Sequence, residues 1–277
     1  SNALGRGRIP EIERGGRVMI IDVETDAVIL LGHGSRDRTA IEEFDQFIAF
    51  FKKWSGLKRV YPGYLELADP LIPAAIDRAA DGGAKRIWAY PLFIFPGRHV
   101  LEDLPHLLTE GQAKHPEVEI YFGEPLNLNP KLPALAKIRI DPSQDREPHK
   151  TALLVVGRGT LEPKAIAATE RFADQLKPTL PYPHAVHCFA EVVPPYIPDG
   201  FARCVELGAA SVVVFPCLLF TGIILKRIQK QVETIREKHP DLSIRTAGYF
   251  GVHPLLAEIV WEGIKASSPI KDQKMNL

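Results

Sequence analysis

The sequence predicts an α/β protein of two tandem domains, each built on a mainly parallel sheet of about four strands flanked by helices and related by internal duplication. Three observations predict it. Short apolar runs alternate with segments of helical period, the pattern of strand–helix units that build a parallel sheet. The 277 residues, 45% of them hydrophobic, suffice for two cores of about 120 residues each. Most telling, the chain repeats itself: an offset of 125 residues sets Gly32-His33-Gly34-Ser35 on Gly157-Arg158-Gly159-Thr160, and the match runs without a gap to Gly97 and Gly222.

The elements follow in order. Ordered structure is expected from about Val18, because Ser1-Asn2-Ala3 reads as a cloning remnant and the Gly- and Arg-rich stretch after it has no period. Ala27 to Leu31 reads as the first strand, followed after a glycine-rich turn by an amphipathic helix over 39–54. Val60 to Leu65 reads as a strand and Pro70 to Asp81 as a helix opened by proline. Lys85 to Phe93 is the third strand, Arg98 to Lys114 a long helix, and Val118 to Phe122 closes the first sheet. The second copy repeats the order with strands at 152–156, 184–190, 211–218 and 242–249, each followed by a helical segment. Asp141 to Lys150 is polar, carries two prolines and lacks apolar period, so it is the expected linker. The domains are therefore expected at 18–147 and 148–277.

Along the shared register Ile41 matches Ile166, Phe47 Phe172, Glu66 Glu191, Pro70 Pro195, Ile72 Ile197, Arg78 Arg203, Gly83 Gly208, Pro91 Pro216 and Phe95 Phe220. The disagreements concern chemistry, since His33 becomes Arg158 and His99 becomes Ile224 while the apolar frame survives. One copy reads as reactive and the other as scaffold.

Composition excludes several classes. Lysine plus arginine and aspartate plus glutamate both number 34, so no global field favours nucleic acid or an anionic membrane. The three cysteines, Cys188, Cys204 and Cys217, form no C-x-x-C pair, which argues against a zinc knuckle, an iron–sulfur cluster or a disulfide framework. No apolar run is long enough for a membrane span, and no secretory leader pattern opens the chain. A soluble protein of the reducing cytoplasm is the expectation.

In an open parallel α/β sheet, ligands sit beyond the carboxyl ends of the strands. His33 lies just past the first strand, Glu66 at the end of the second, and His99 after the third, so all three are expected at one rim. Two imidazoles and a carboxylate suit a borderline divalent ion such as cobalt, nickel, iron or zinc, and leave coordination positions open. Gly32, Gly34 and Gly97 lack β-carbons and would let a bulky planar ligand approach the backbone. Ser35 lies in the same turn, and Arg36, Arg38 and Arg98 flank the histidines, where guanidinium forks match substrate carboxylates or stand as solvated loop charges. Glu66 is open to two roles, base or ligand on the one hand and loop cap on the other, because Glu191 is retained in the copy without histidines. His187 and Glu191 share one strand face, but Arg158 and Ile224 do not support a second ion site. The remaining histidines read as surface or capping groups, and the cysteines as small core residues.

With these residues in view, the sequence resembles the sirohydrochlorin cobaltochelatase (CbiX-like) family of class II tetrapyrrole chelatases. The likeness rests on LLGHGSRD at Leu30 to Asp37, LELADPLIP at Leu65 to Pro73 and PLFIFPGRHVLEDLP at Pro91 to Pro105. It implies two flavodoxin-like domains facing each other across a cleft, and insertion of a divalent metal into a precorrin-type macrocycle without ATP, so no nucleotide cofactor. It implies that His33 and His99 bind the metal and accept protons, and that Glu66 is the family's acidic residue. The cysteine cluster and histidine-rich tail of some long members are missing, which removes an iron–sulfur option.

Metallation must remove two pyrrolic protons and strip water from the ion, so a site that holds the ion by neutral imidazoles and grips the ring's carboxylates replaces encounter by positioning. Cobalt is the expected metal substrate, with nickel or ferrous iron otherwise. A tetrapyrrole or metal carrier without turnover is the rival from another class. A phosphate-handling hydrolase using His33 lacks the clamping residues it would need. A duplicated chain can also stand in for a symmetric dimer, which makes a monomer a reasonable working state.

Overall fold

The computed structural model describes residues 13–14, 17–18, 21–95, 97–98 and 102–272. Two short strands, β1 (Glu13–Arg14) and β2 (Arg17–Val18), pair antiparallel ahead of the first repeat. That repeat then runs β3 (Asp26–Gly32), α1 (Arg38–Ser55), β4 (Val60–Tyr64), α2 (Ile72–Asp81), β5 (Arg86–Pro91), α3 (Leu104–Lys114), β6 (Glu119–Phe122) and α4 (Leu132–Ile140). The second runs β7 (Thr151–Gly157), α5 (Pro163–Leu176), β8 (His184–Phe189), α6 (Ile197–Glu206), β9 (Ser211–Pro216), α7 (Ile223–Lys238), β10 (Ser243–Thr246) and α8 (Pro254–Lys265). A two-residue strand, β11 (Ser268–Pro269), and a single 3-10 turn at Ile270–Asp272 follow.

The two sheets have the order β11-β6-β5-β3-β4 and β10-β9-β7-β8. Counted within each repeat, both place the second strand beside the first, then the third and fourth, the arrangement of a doubly wound flavodoxin-like sheet. All pairs are parallel except β11 on β6. The α/β class and duplicated parallel sheets expected from the sequence are thus what the structure has, with the first sheet extended to five strands by β11.

Burial explains the layering. β3 and β7 are buried at every position, as central strands covered on both faces must be. Their side chains alternate between two clusters. Val28 and Leu30 point into a core shared by both repeats, which also holds Phe44, Phe47, Phe51, Leu153, Val155, Phe172, Phe215 and Phe250. Ala27, Ile29 and Leu31 point outward to a core closed by α2 and α3, and Leu154 and Val156 to one closed by α6 and α7. Helices α1, α4, α5 and α8 fill the layer between the sheets.

The repeats exchange their last helices. α8 packs against β5 and α1 of the first repeat, and α4 against α5 of the second. Aromatic contacts cross the same boundary in mirrored fashion: Phe220 lies 5.8 Å from Phe47, and its counterpart Phe95 lies 6.1 Å from Phe172. Residue i of one repeat meeting residue j of the other, and the reverse, is the signature of an isologous two-fold contact. Such aromatic pairs contribute about 0.5–1.5 kcal/mol each beyond area burial.

Two local departures from expectation have physical reasons. Of the helix expected over 98–114, Leu104–Lys114 is a continuous α-helix, Glu102 and Asp103 lie in a wider turn and Arg98 is helical; Pro105, in the first turn, lacks the amide that an α-helix running through that turn would need there. The strand expected to reach Tyr249 ends at Thr246, because Gly248 N turns to Arg139 O and draws the chain to α4. Neither α4 nor β11 was expected.

Candidate functional site

The carboxyl ends of β3, β4 and β5 form one rim, held in register by Gly32 opposite Tyr64 and Leu31 opposite Pro91. From β3 the chain winds one way to β4, while β5 leads the other way to β6, so the β3/β5 boundary is the topological switch point where such sheets bind ligands. His33 leaves β3 at this point.

Strand pairing continues past the sheet into the loops. Leu65 N donates to Gly32 O at 2.9 Å and Glu66 N to His33 O at 3.1 Å, which brings His33 Nε2 to 3.5 Å from Glu66 Oε1. His33 is 23% exposed and Glu66 54%, so the imidazole is seated while the carboxylate reaches into solvent. Gly34 makes this approach possible: its φ is +90°, and a Cβ there would stand 1.7 Å from Glu66 O. Only glycine adopts that turn with a carbonyl so near. Gly32 is buried, and a Cβ on it would stand 2.8 Å from the Phe44 ring.

Ser35 Oγ accepts from Asp37 N at 3.0 Å, and Asp37 caps α1 by accepting from Thr39 N. Asp37 also takes Lys226 Nζ of the second repeat at 2.6 Å; the Lys226 hydrogen bond, then that of Thr39, holds its carboxyl below the usual range. Glu43 ties the same two segments, accepting from Thr221 N at 2.6 Å and Tyr249 Oη at 3.1 Å. Arg36 is exposed, Arg38 pairs with Glu42 at 2.8 Å and Arg98 with Glu102 at 3.1 Å. A Cβ on Gly97 would meet nothing within 4 Å. His99 lies outside the described residues, as do Val100 and Leu101. Among the described residues, no group of three or more His, Cys, Asp or Glu could hold a metal.

The second repeat rebuilds this rim with different chemistry. Gly159 has φ +97° and a Cβ there would stand 1.9 Å from Glu191 O, and Glu191 N donates to Arg158 O at 3.1 Å. Where His33 meets Glu66, Arg158 Nε lies 3.7 Å from Glu191 Oε1, and Arg227 of α7 closes on the other oxygen. His187 packs against Phe189, ring centroids 5.8 Å apart. The other charged contacts are structural. Asp26, fully buried at the amino end of β3, binds Arg86 and Trp88 Nε1, and His115 binds Asp77 at 2.7 Å. An open hollow of about 510 Å³ between β8 and α6, lined by His184, His187, Asp199 and Arg203, includes no residue of the first rim.

The CbiX family model matches residues 27–143 and 152–267, one match for each repeat. The chain belongs to the CbiX family. It is 30% identical over 240 residues to the sirohydrochlorin cobaltochelatase of Priestia megaterium, covering 85% of this chain and 78% of that one. It is 27% identical over 240 residues to the sirohydrochlorin ferrochelatase of the same organism, covering 87% and 90%. The structure of SirB from Bacillus subtilis with Fe3+ superposes with a TM-score of 0.76 at 23% identity, covering 87% of this chain and 94% of that one, which bears out the fold. Membership of a chelatase family accords with the sequence resemblance, and its relatives include both cobalt and iron enzymes.

Among the described residues no helix is long and apolar enough to cross a membrane. Sequence reasoning named Arg158 and Glu191 at the second rim only as counterparts of His33 and Glu66, and did not name Arg227. The available signal was a paired change at equivalent positions, His33 to Arg158 and Glu102 to Arg227.

Proposed function

We propose that this protein inserts a divalent metal into sirohydrochlorin or a related tetrapyrrole without ATP, with cobalt as the first candidate and nickel or ferrous iron as the others. The observation that carries the reading is the His33–Glu66 pair, 3.5 Å apart on the first rim, at a position where the second repeat has an arginine salt-bridged to the matching glutamate. Membership of the CbiX family and the sirohydrochlorin chelatases among its relatives support it.

In this reading the rims of 18–147 and 148–277 are the two walls of the site. His33 and His99 bind the incoming ion and take the pyrrolic protons, and Glu66 offers a neighbouring proton acceptor or ligand. Seating the ion on one wall removes the entropic cost of encounter and replaces part of its hydration shell. Gly32, Gly34, Ser35 and Gly97 keep that wall low, and Arg36 and Arg98 orient the ring's carboxylates. The protein would work as a monomer in a reducing cytoplasm, where its three buried thiols stay reduced.

The test follows macrocycle absorbance with cobalt, nickel and ferrous ions. Wild-type protein is expected to form product in molar excess over itself, which a carrier would not. His33→Ala is expected to lower kcat about a hundredfold or more, the scale of a lost proton-transfer group. An unchanged rate in that variant would refute the assignment.

A further inference from the structure

We propose that Arg158 and Arg227, held together by Glu191, form a carboxylate-gripping site that seats the anionic periphery of the macrocycle on the rim of the second repeat. The proposal rests on the chelatase reading for the identity of its ligand, and on four observations for its place and chemistry.

The first is charge. Glu191 is the acid paired with both Arg158 and Arg227 among the described residues, so one carboxylate faces two guanidinium groups and the cluster keeps a net positive charge. Both side chains remain more than half exposed, 55% and 57%, which leaves donors for a ligand. A guanidinium fork matches a carboxylate with two parallel hydrogen bonds.

The second is comparison within the chain. The first rim has His33 and Glu102 where the second has Arg158 and Arg227. Both changes add positive charge, and both new arginines pair with Glu191, which matches Glu66 of the first rim.

The third is apolar exposure. Leu161 is 79% exposed where the first repeat has Arg36, and Ile223 is 42% exposed where it has Arg98. Val192 is also exposed. At these two positions charged loop residues have been exchanged for large apolar ones that face water in the free protein. A flat conjugated ring edged with carboxylates has the complementary character: apolar faces, and an anionic edge to meet the two arginines.

The fourth is placement. The loop after β9 packs on the start of α1 through Phe220 on Phe44, with centroids 5.6 Å apart, and the first turn of α7 does so through Lys226 on Asp37 at 2.6 Å. Asp37 is four residues from His33, and Lys226 adjoins Arg227. The segments carrying the two rims are thus bolted to each other, so a ring held by one can lie against the other.

The test uses the full-length protein and metal-free sirohydrochlorin, with binding read by absorbance and insertion by steady-state kinetics. Arg158→Ala and Arg227→Ala are each expected to weaken macrocycle binding and raise KM about tenfold, and the double variant about a hundredfold, with kcat within about threefold of wild type. Arg158→Lys should recover part of the loss, because lysine keeps the charge but not the fork. A macrocycle with esterified carboxylates should bind wild type and the double variant equally. Equal binding of unesterified sirohydrochlorin by the folded double variant and wild type overturns the grip and leaves the metal wall standing. A wild type that binds the ring in an arginine-dependent way yet never metallates it overturns the chelatase reading and leaves the grip. A wild type that binds no tetrapyrrole overturns both.

Discussion

Replacing Gly34 by alanine should damage chemistry and stability together, whereas the same change at Gly159 should leave kcat nearly intact. Gly34 sits at φ +90° with the site of its missing Cβ 1.7 Å from Glu66 O, and Gly159 at φ +97° with its own 1.9 Å from Glu191 O. An L side chain in that backbone region costs about 1–2 kcal/mol. An ordinary C···O contact is about 3.3 Å, so at either site the two loops must part by roughly 1.5 Å. The bond from Glu66 N to His33 O, or from Glu191 N to Arg158 O, both 3.1 Å, then weakens, at about 1 kcal/mol. Each variant should therefore lose about 2–3 kcal/mol, which is roughly 5–10 °C in Tm for a protein of this size. Kinetics should separate them. A displacement of about 1 Å between catalytic groups costs on the order of a hundredfold, so Gly34→Ala should lower kcat by that factor at saturating macrocycle and metal, measured well below Tm. Gly159→Ala, which displaces Arg158 and Glu191, should raise KM. Equal kcat losses in the two variants, or a normal kcat in Gly34→Ala at the expected loss of Tm, would show that the loop joining His33 to Glu66 does not organise the reaction.

Two further outcomes follow from burial. His253 caps α8, its Nδ1 accepting from Leu255 N at 3.1 Å, and burial first, then the charge of Arg139, lowers its pKa below 6.5; the unfolded chain thus binds the proton more readily, so this contribution to stability is complete above pH about 6.5 and is lost as pH falls below it. His253→Asn, which can still cap, should shrink the drop in Tm between pH 7.5 and 5.5, and an identical drop would refute the assignment. The Cys204 thiol is pushed up to about 12 by burial, and Cys188 and Cys217 are raised for the same first reason; a thiol reagent at pH 8 should label all three only at the rate of unfolding, and prompt labelling of native protein would contradict the buried placement.

The local architecture was legible because it is written in short-range patterns. The strand expected at Ala27–Leu31 is Asp26–Gly32, and the helix over 39–54 is Arg38–Ser55, since an unbroken apolar run between turns and a 3.6-residue stripe are nearly unambiguous. The offset that aligned Gly34 with Gly159 also located the two positive-φ turns. What the pattern could not carry is partnership over long range. α8 has an apolar face whichever sheet it covers, so nothing local says that it packs on β5 of the other repeat. The nine residues of α4 bury Leu132, Leu135, Ala136 and Ile140 but lie between prolines and a polar linker that read as punctuation. Glycine in the GHGS turn was visible, and the carbonyl of Glu66 against it was not, because that contact joins loops 32 residues apart in the chain.

The exchange of helices bears on why one chain can carry two unlike rims. If a single-repeat ancestor paired with itself, every change at the rim would appear on both walls. A histidine gained for the metal would face a histidine, and an arginine gained for the ring would face an arginine. Once the two copies share a chain, the apolar seam that needs symmetry can keep it while the rims diverge. The seam here does keep it: Phe47 on Phe220 is matched by Phe172 on Phe95, and these positions are identical in the two repeats. The rims do not, since His33 beside Glu66 is answered by Arg158 beside Glu191. Metal coordination disfavours a cation next to the ion, and carboxylate recognition requires one. On the proposed function, a molecule that must do both on opposite sides of one flat substrate gains by assigning them to different copies, and the proposed grip at Arg158 and Arg227 follows that division.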